Sequence, residues 1–174
     1  MRRQWISALL VASFLLLGAA PGWPLCLKEG QVAPNFTIED IDGNPVKLSS
    51  FRGKVVLMAF WASWCPRCME ELAFLQGLST ALEDELVVLA INQETQNLSP
   101  KHVAKLKKEI QDLGIEFPVL LDKNLDVWKL YCINALPTSV ILDREGKVRF
   151  AEPNYYWASQ KKIRKVLQEL GVAR

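Results

Sequence analysis

An α/β sandwich around a mixed central sheet is the fold class this chain predicts, and three observations predict it. Continuous apolar runs alternate with stretches of helical periodicity from residue 54 onward. Two short extended runs flank a strong turn signal, Asp42-Gly43-Asn44-Pro45, ahead of that alternation. The chain has 174 residues, half of them hydrophobic, which is enough for one domain with a substantial core and short of two.

The elements follow in order. Residues 36–39 and 46–48 form the arms of the hairpin. Residues 54–60, apolar from Val55 onward, read as a central strand covered on both faces. From 65 to 83, Met69, Leu72, Ala73, Leu75, Leu78 and Leu82 recur at helical spacing, with Glu70, Glu71 and Gln76 assigned to the opposite, solvated side. Residues 86–91 are a second buried strand. Ser99-Pro100 is a helix start, Ser as N-cap and Pro in the first turn, and Gly114 closes that helix near Leu113. A strand at 117–121, a short helix at 124–131, a strand at 138–142, a turn at Asp143-Arg144-Glu145-Gly146 and a strand at 147–151 come next. Ile163, Val166, Leu167 and Leu170 mark one face of a final helix over about 157–170.

Charge and composition exclude some functions. The net charge of +2 includes Arg2 and Arg3, so the body is nearly neutral and no nucleic-acid partner is expected. Residues 1–27 differ from the rest. Two arginines precede an apolar stretch at 5–20, and Pro21, Gly22 and Pro24 then break it. This is an export signal, and its apolar core sits between the length of a cleaved leader and that of a comfortable membrane span. Pro21 would obstruct cleavage after Gly18-Ala19-Ala20, which favours retention as a membrane anchor. Lipidation at Cys26 is disfavoured by Leu25. The domains are therefore 1–27, signal or anchor, and 28–174, the folded body.

Cys65 and Cys68, separated by Pro66 and Arg67 at a strand-to-helix junction, form a C-x-x-C redox arrangement. Unpaired N–H groups at a helix start stabilise a thiolate and can lower its pKa from about 8.5 to about 7 or below. Cys65 is thus the expected attacking thiolate, and Cys68, one turn along, the thiol that resolves the mixed disulfide. Arg67 adds positive charge beside the pair. A zinc site would need a second pair or histidines, and the only histidine, His102, is placed on a solvated helix face. No metal and no cofactor are expected. Cys132 reads as a partly buried thiol, with a bond to Cys26 or a further redox role as alternatives. Tyr155-Tyr156-Trp157 is read chiefly as packing for the last helix, with contact to a partner as the second reading. Trp61, Phe117 and Trp128 are core residues by the same economy.

The run Phe60-Trp61-Ala62-Ser63-Trp64-Cys65-Pro66-Arg67-Cys68, followed by Ala135-Leu136-Pro137-Thr138, resembles the thioredoxin superfamily, specifically its TlpA/ResA-like thiol-disulfide oxidoreductases. The opening Ala33-Pro34-Asn35-Phe36, the approach Leu48-Ser49-Ser50-Phe51-Arg52-Gly53-Lys54 and the inserted helix from Ser99 extend the resemblance over residues 29–171. It implies a thioredoxin-like three-layer sandwich with an N-terminal β-hairpin and an inserted helix. It also implies a cis bond before Pro137 and a substrate groove lined by Trp64, Pro66, Arg67, Leu136 and Pro137. Thioredoxin carries a buried aspartate six residues before the first cysteine; Ala59 stands there in this chain. Glu94, after the next strand, is the carboxylate that the resemblance offers for the catalytic set in its stead.

The activity so implied is a protein-disulfide reductase of the cell envelope, in the periplasm or on the outer face of a bacterial membrane. Apocytochrome c during cytochrome c maturation is the leading substrate, with a membrane thiol-electron donor and the membrane itself, through residues 1–27, as further partners. Thr138 departs from one cytochrome-maturation subgroup, which has an acidic residue after that proline. A disulfide oxidant or isomerase is the enzymatic alternative. A non-catalytic binding or chaperone module is the alternative of another class. Peroxiredoxins share the opening and the core, yet place Thr or Ser where Ala62 stands and Pro where Met58 stands.

Overall fold

The computed structural model describes residues 27–94 and 98–172. The expected leader or anchor and Cys26 lie outside the described residues. The hairpin is β1 (Thr37–Glu39) and β2 (Pro45–Lys47), antiparallel with Ile38 opposite Val46, followed by a 3-10 turn at Leu48–Phe51. The body runs β3 (Val55–Trp61), α1 (Pro66–Ala81), β4 (Leu86–Asn92), α2 (Pro100–Asp112), β5 (Val119–Leu121), α3 (Asp126–Leu130), β6 (Thr138–Leu142), β7 (Val148–Pro153) and α4 (Trp157–Glu169).

The five-stranded sheet has the order β5-β4-β3-β6-β7, with β3, β4 and β5 parallel and β6 and β7 antiparallel to their neighbours. Every residue of β3 is buried, as a strand covered on both faces must be. Its pleat divides the core in two. Val55, Leu57, Ala59 and Trp61 face α1, α2 and α4, through Leu72, Leu75, Leu106, Ile110, Ile163 and Leu167. Val56, Met58 and Phe60 face the opposite layer, where Phe36 and Leu48 meet Val127 and Tyr131 of the α3 region. This is the expected three-layer sandwich. The hairpin docks on the edge of β5, where Ile41 N–H donates to the Val119 carbonyl at 2.8 Å and so covers an open strand edge.

Two elements are shorter than the sequence suggests, each for a local reason. Pro118 has no N–H, so the β5 ladder begins at Val119 although Phe117 is already buried. Leu125 is left-handed, at φ 57°, and cannot belong to the helix. Instead the buried Asp122 caps α3 from outside, accepting from Asp126 N–H at 2.9 Å and Trp128 N–H at 2.8 Å. Helix α2 starts as read, with Ser99 Oγ accepting from His102 N–H at 3.3 Å. Trp61 and Phe117 are core; Trp128 is only half-buried, packed on the margin of the second cluster.

Candidate active site

Strand β3 delivers the chain to the top of the sheet, and α1 starts five residues after it. Between them Cys65 N–H donates to the Ala62 carbonyl at 3.1 Å, which tightens the turn. Cys65 is the N-cap of α1 in an extended conformation, and Pro66 occupies the first helical turn, where its missing N–H costs nothing. The Cys65 Sγ accepts from the Cys68 N–H at 3.3 Å. That is the geometry in which a helix start holds a thiolate. The two sulfurs are joined as a disulfide, with 5.3 Å between the Cα atoms. Cys65 retains 7% of its surface and Cys68 none, so an incoming partner can reach only Cys65.

Glu71 lies one turn beyond Cys68, and here the structure corrects the sequence reading. It is not on the solvated side with Glu70; it is 1% exposed. Along α1 the buried residues are Cys68, Glu71, Leu72, Leu75 and Leu78, so Glu71 occupies an apolar-stripe position at i+3 from the resolving cysteine. That register is the signal in the sequence, and the charge of a glutamate masks it. Ser139 Oγ donates to Glu71 Oε1, and Oε2 has no partner among the described residues. Burial pushes the Glu71 carboxyl up to about 7, against the smaller opposing effect of the Ser139 hydrogen bond. Ser139 pairs across the sheet with Ala59, the position where thioredoxin has its aspartate. A carboxyl from the helix thus serves the region that lacks one from the strand.

Glu94, just past β4, holds the loop in front of Cys65. Its carboxylate accepts from Ser63 N–H at 3.1 Å, from Ser63 Oγ at 2.7 Å and from Asn92 Nδ2 at 2.9 Å. Burial alone would raise its pKa, but the hydrogen bonds from Asn92 and Ser63, with a smaller contribution from His102, hold it below the usual carboxylate range. His102 is also corrected. Its side chain is 28% exposed, and Nε2 is buried 3.7 Å from Glu94 Oε1, because the first turn of α2 faces the Ser63–Glu94 junction rather than solvent.

The remaining expected residues are distributed around this centre. The Leu136-Pro137 bond is cis; Pro137 is buried, and Leu136 packs on the cluster that contains both cysteines. Trp64, Pro66 and Arg67 are exposed. The Arg67 guanidinium lies over the Tyr156 ring, 4.8 Å from its centroid, rather than against either sulfur. The aromatic triplet divides: Tyr155 is buried against Phe74, with ring centroids 6.2 Å apart, while Tyr156 and Trp157 are exposed. Cys132, half-buried and left-handed at φ 50°, is disulfide-bonded and so is not the bare thiol of the sequence reading.

A vicinal cysteine pair capping the first long helix of a thioredoxin-like sandwich, with one sulfur accessible and the other sealed, defines a thiol-disulfide oxidoreductase. Comparison with known proteins agrees and gives the family. The chain belongs to the AhpC/TSA family, which matches residues 30–151. It is 30% identical over 148 residues to the thiol-disulfide oxidoreductase ResA of Bacillus cereus, covering 79% of this chain and 82% of that protein. It is 32% identical over 161 residues to the thioredoxin-like protein YneN of Bacillus subtilis, covering 86% of this chain and 89% of the relative. Among solved structures, a putative thiol:disulfide interchange protein DsbE from Chlorobium tepidum superimposes with a TM-score of 0.74 at 27% identity, covering 83% of this chain and 98% of that one.

Proposed function

We propose that this oxidoreductase runs as a protein-disulfide reductase outside the cytoplasm, tethered by residues 1–27. The observation that carries the direction is the charge around the pair. Two carboxyl groups stand on the elements that hold it, Glu71 on the Cys68 stripe and Glu94 hydrogen-bonded to the loop before Cys65, while Arg67, the cation within the motif, is engaged by the Tyr156 ring. Negative charge beside a cysteine disfavours its thiolate. A less stabilised thiolate makes the reduced form a better electron donor, the opposite of the strongly oxidising members of this fold class. The relatives' designation as thiol-disulfide oxidoreductases agrees with the activity.

In the reaction, the Cys65 thiolate attacks one sulfur of a substrate disulfide. The Cys65–substrate bond forms, the substrate S–S bond breaks, and the second substrate sulfur leaves as a thiolate. Cys68 then loses its proton and attacks Cys65 Sγ, closing the Cys65–Cys68 disulfide and releasing the first substrate sulfur. Two protein thiols are oxidised and one substrate disulfide is reduced. Glu71, with a carboxyl poised at about 7, is the base for the Cys68 proton, which no exposed group can take from a fully buried sulfur. A dithiol donor at the membrane regenerates the pair. Apocytochrome c, whose haem-attachment cysteines must stay reduced, is the substrate that the ResA-like resemblance favours.

The test is the reduction potential of Cys65/Cys68, by equilibration of the protein against dithiothreitol. The reading expects a value near about −270 mV, the thioredoxin range; a value near about −120 mV would reverse the direction and make the protein a disulfide donor.

A further inference from the structure

Few large apolar side chains of the described residues are strongly exposed, and three of them lie on the redox loop or on the turn that meets it. Trp64 is 67% exposed, Tyr156 51% and Trp157 83%; only Val32 and Leu130 join them elsewhere. Trp64 immediately precedes Cys65. The turn between β7 and α4, which carries Tyr156 and leads into Trp157, is held at two points, the cis-proline and the C-x-x-C motif. Asn154 N–H donates to the Pro137 carbonyl at 2.7 Å, and the Arg67 guanidinium, one residue before Cys68, clamps the Tyr156 ring. Tyr155 anchors the turn by packing inward on Phe74 of α1. Of the triplet only Tyr155 is buried, and α4 packs on the sheet through Ile163 and Leu167. The Tyr156 backbone caps α4 through Ser159 Oγ, yet its ring and that of Trp157 stay largely open to solvent.

We infer that Trp64, Tyr156 and Trp157 form a specificity platform that selects disulfides in extended polypeptide whose attacked cysteine has an aromatic or large aliphatic neighbour. The inference rests on the oxidoreductase reading and names the substrate class of that same site. The occupant follows from continuity with the redox pair. Whatever covers these rings must also present a sulfur to Cys65, which has only 7% of its surface open, so it is a protruding cystine in a locally unfolded strand. Aromatic residues contribute on the order of 150–250 Å² each when covered. Three partly exposed rings fall well below the roughly 1,000 Å² that a durable protein interface needs, and suit a short segment held for one turnover. Small hydrophilic disulfides such as oxidised glutathione cannot use such a platform.

The experiment compares kcat/KM of the full chain for two short disulfide-closed peptides that differ only in Phe or Ser beside the attacked cysteine, with oxidised glutathione as a third substrate. The wild-type protein is expected to prefer the Phe peptide by about tenfold, and the double variant Tyr156→Ser/Trp157→Ser to reduce that preference to within about twofold. Trp157→Phe is expected to keep it, as is Leu130→Ser, which removes an exposed apolar side chain elsewhere. A wild-type protein without preference, or a double variant that retains it, would overturn the inference. So would a retained preference accompanied by weaker binding to phosphatidylglycerol vesicles or weaker self-association in sedimentation, because the rings would then be covered by a membrane or a second copy. Absence of Cys65-dependent turnover with any of the three disulfides, glutathione included, would instead show the redox reading itself to be wrong.

Discussion

A carboxyl group almost sealed from water with only one of its oxygens hydrogen-bonded is costly in its charged form, and Glu71 carries that cost close to the chemistry. Its pKa is raised by folding from an ordinary 4.5 to about 7. The native state therefore binds a proton more tightly than the unfolded chain. The stability that this proton contributes is fully present below about pH 4.5 and is lost progressively as pH rises through about 7. Shifts of this size correspond to roughly 3 kcal/mol. Glu71→Gln in the oxidised protein is expected to be more stable than wild type at pH 8, by up to roughly that amount, and to show little difference at pH 4, as measured by urea unfolding. The same variant should slow resolution of the mixed disulfide, because Cys68 loses its base. Ser139, hydrogen-bonded to Glu71 and paired with Ala59, shows how the site manages without a strand carboxylate.

At the scale of elements, the site depends on two connections braced against each other. The loop from β3 to α1 carries Ser63, and the end of β4 carries Asn92 and leads to Glu94; two hydrogen bonds, from Ser63 N–H and Oγ to the Glu94 carboxylate, tie them, while Asn92 Nδ2 donates to that carboxylate and Asn92 Oδ1 accepts from Glu94 N–H to hold it in place. The brace fixes where α1 begins and adds a negative charge on the Cys65 side. Glu94→Gln keeps the shape and removes the charge. It is expected to lower the Cys65 thiol pKa, followed through thiolate ultraviolet absorbance during titration of the reduced protein. An unchanged titration would leave Glu94 as a mechanical brace alone.

Over the whole molecule, what the sequence made legible and what it hid divide along a physical line. Features set by local chemistry were readable. The Ser99 cap, the positive-φ Gly114 and the all-apolar β3 follow from residue types and spacing, and so does Cys65 at a helix start. Features set by a side-chain partner outside the element itself were not. Asp122 decides where α3 starts, Ser139 accompanies Glu71 into the core, and Glu94 draws His102 inward from what reads as a wet helix face. The same division explains the aromatic triplet, since Tyr155 is buried against Phe74 of α1 while its neighbours are exposed.

The central claim is that Cys65 attacks and Cys68 resolves, and covalent trapping tests it most directly. Reduced Cys68→Ser and Cys65→Ser proteins are each mixed with a disulfide-bearing polypeptide and the products resolved without reductant. The account predicts a stable mixed disulfide through Cys65 in the Cys68→Ser protein and none in the Cys65→Ser protein, whose remaining sulfur has no exposed surface. Trapping through Cys68 in the Cys65→Ser protein, with none in its counterpart, would contradict it.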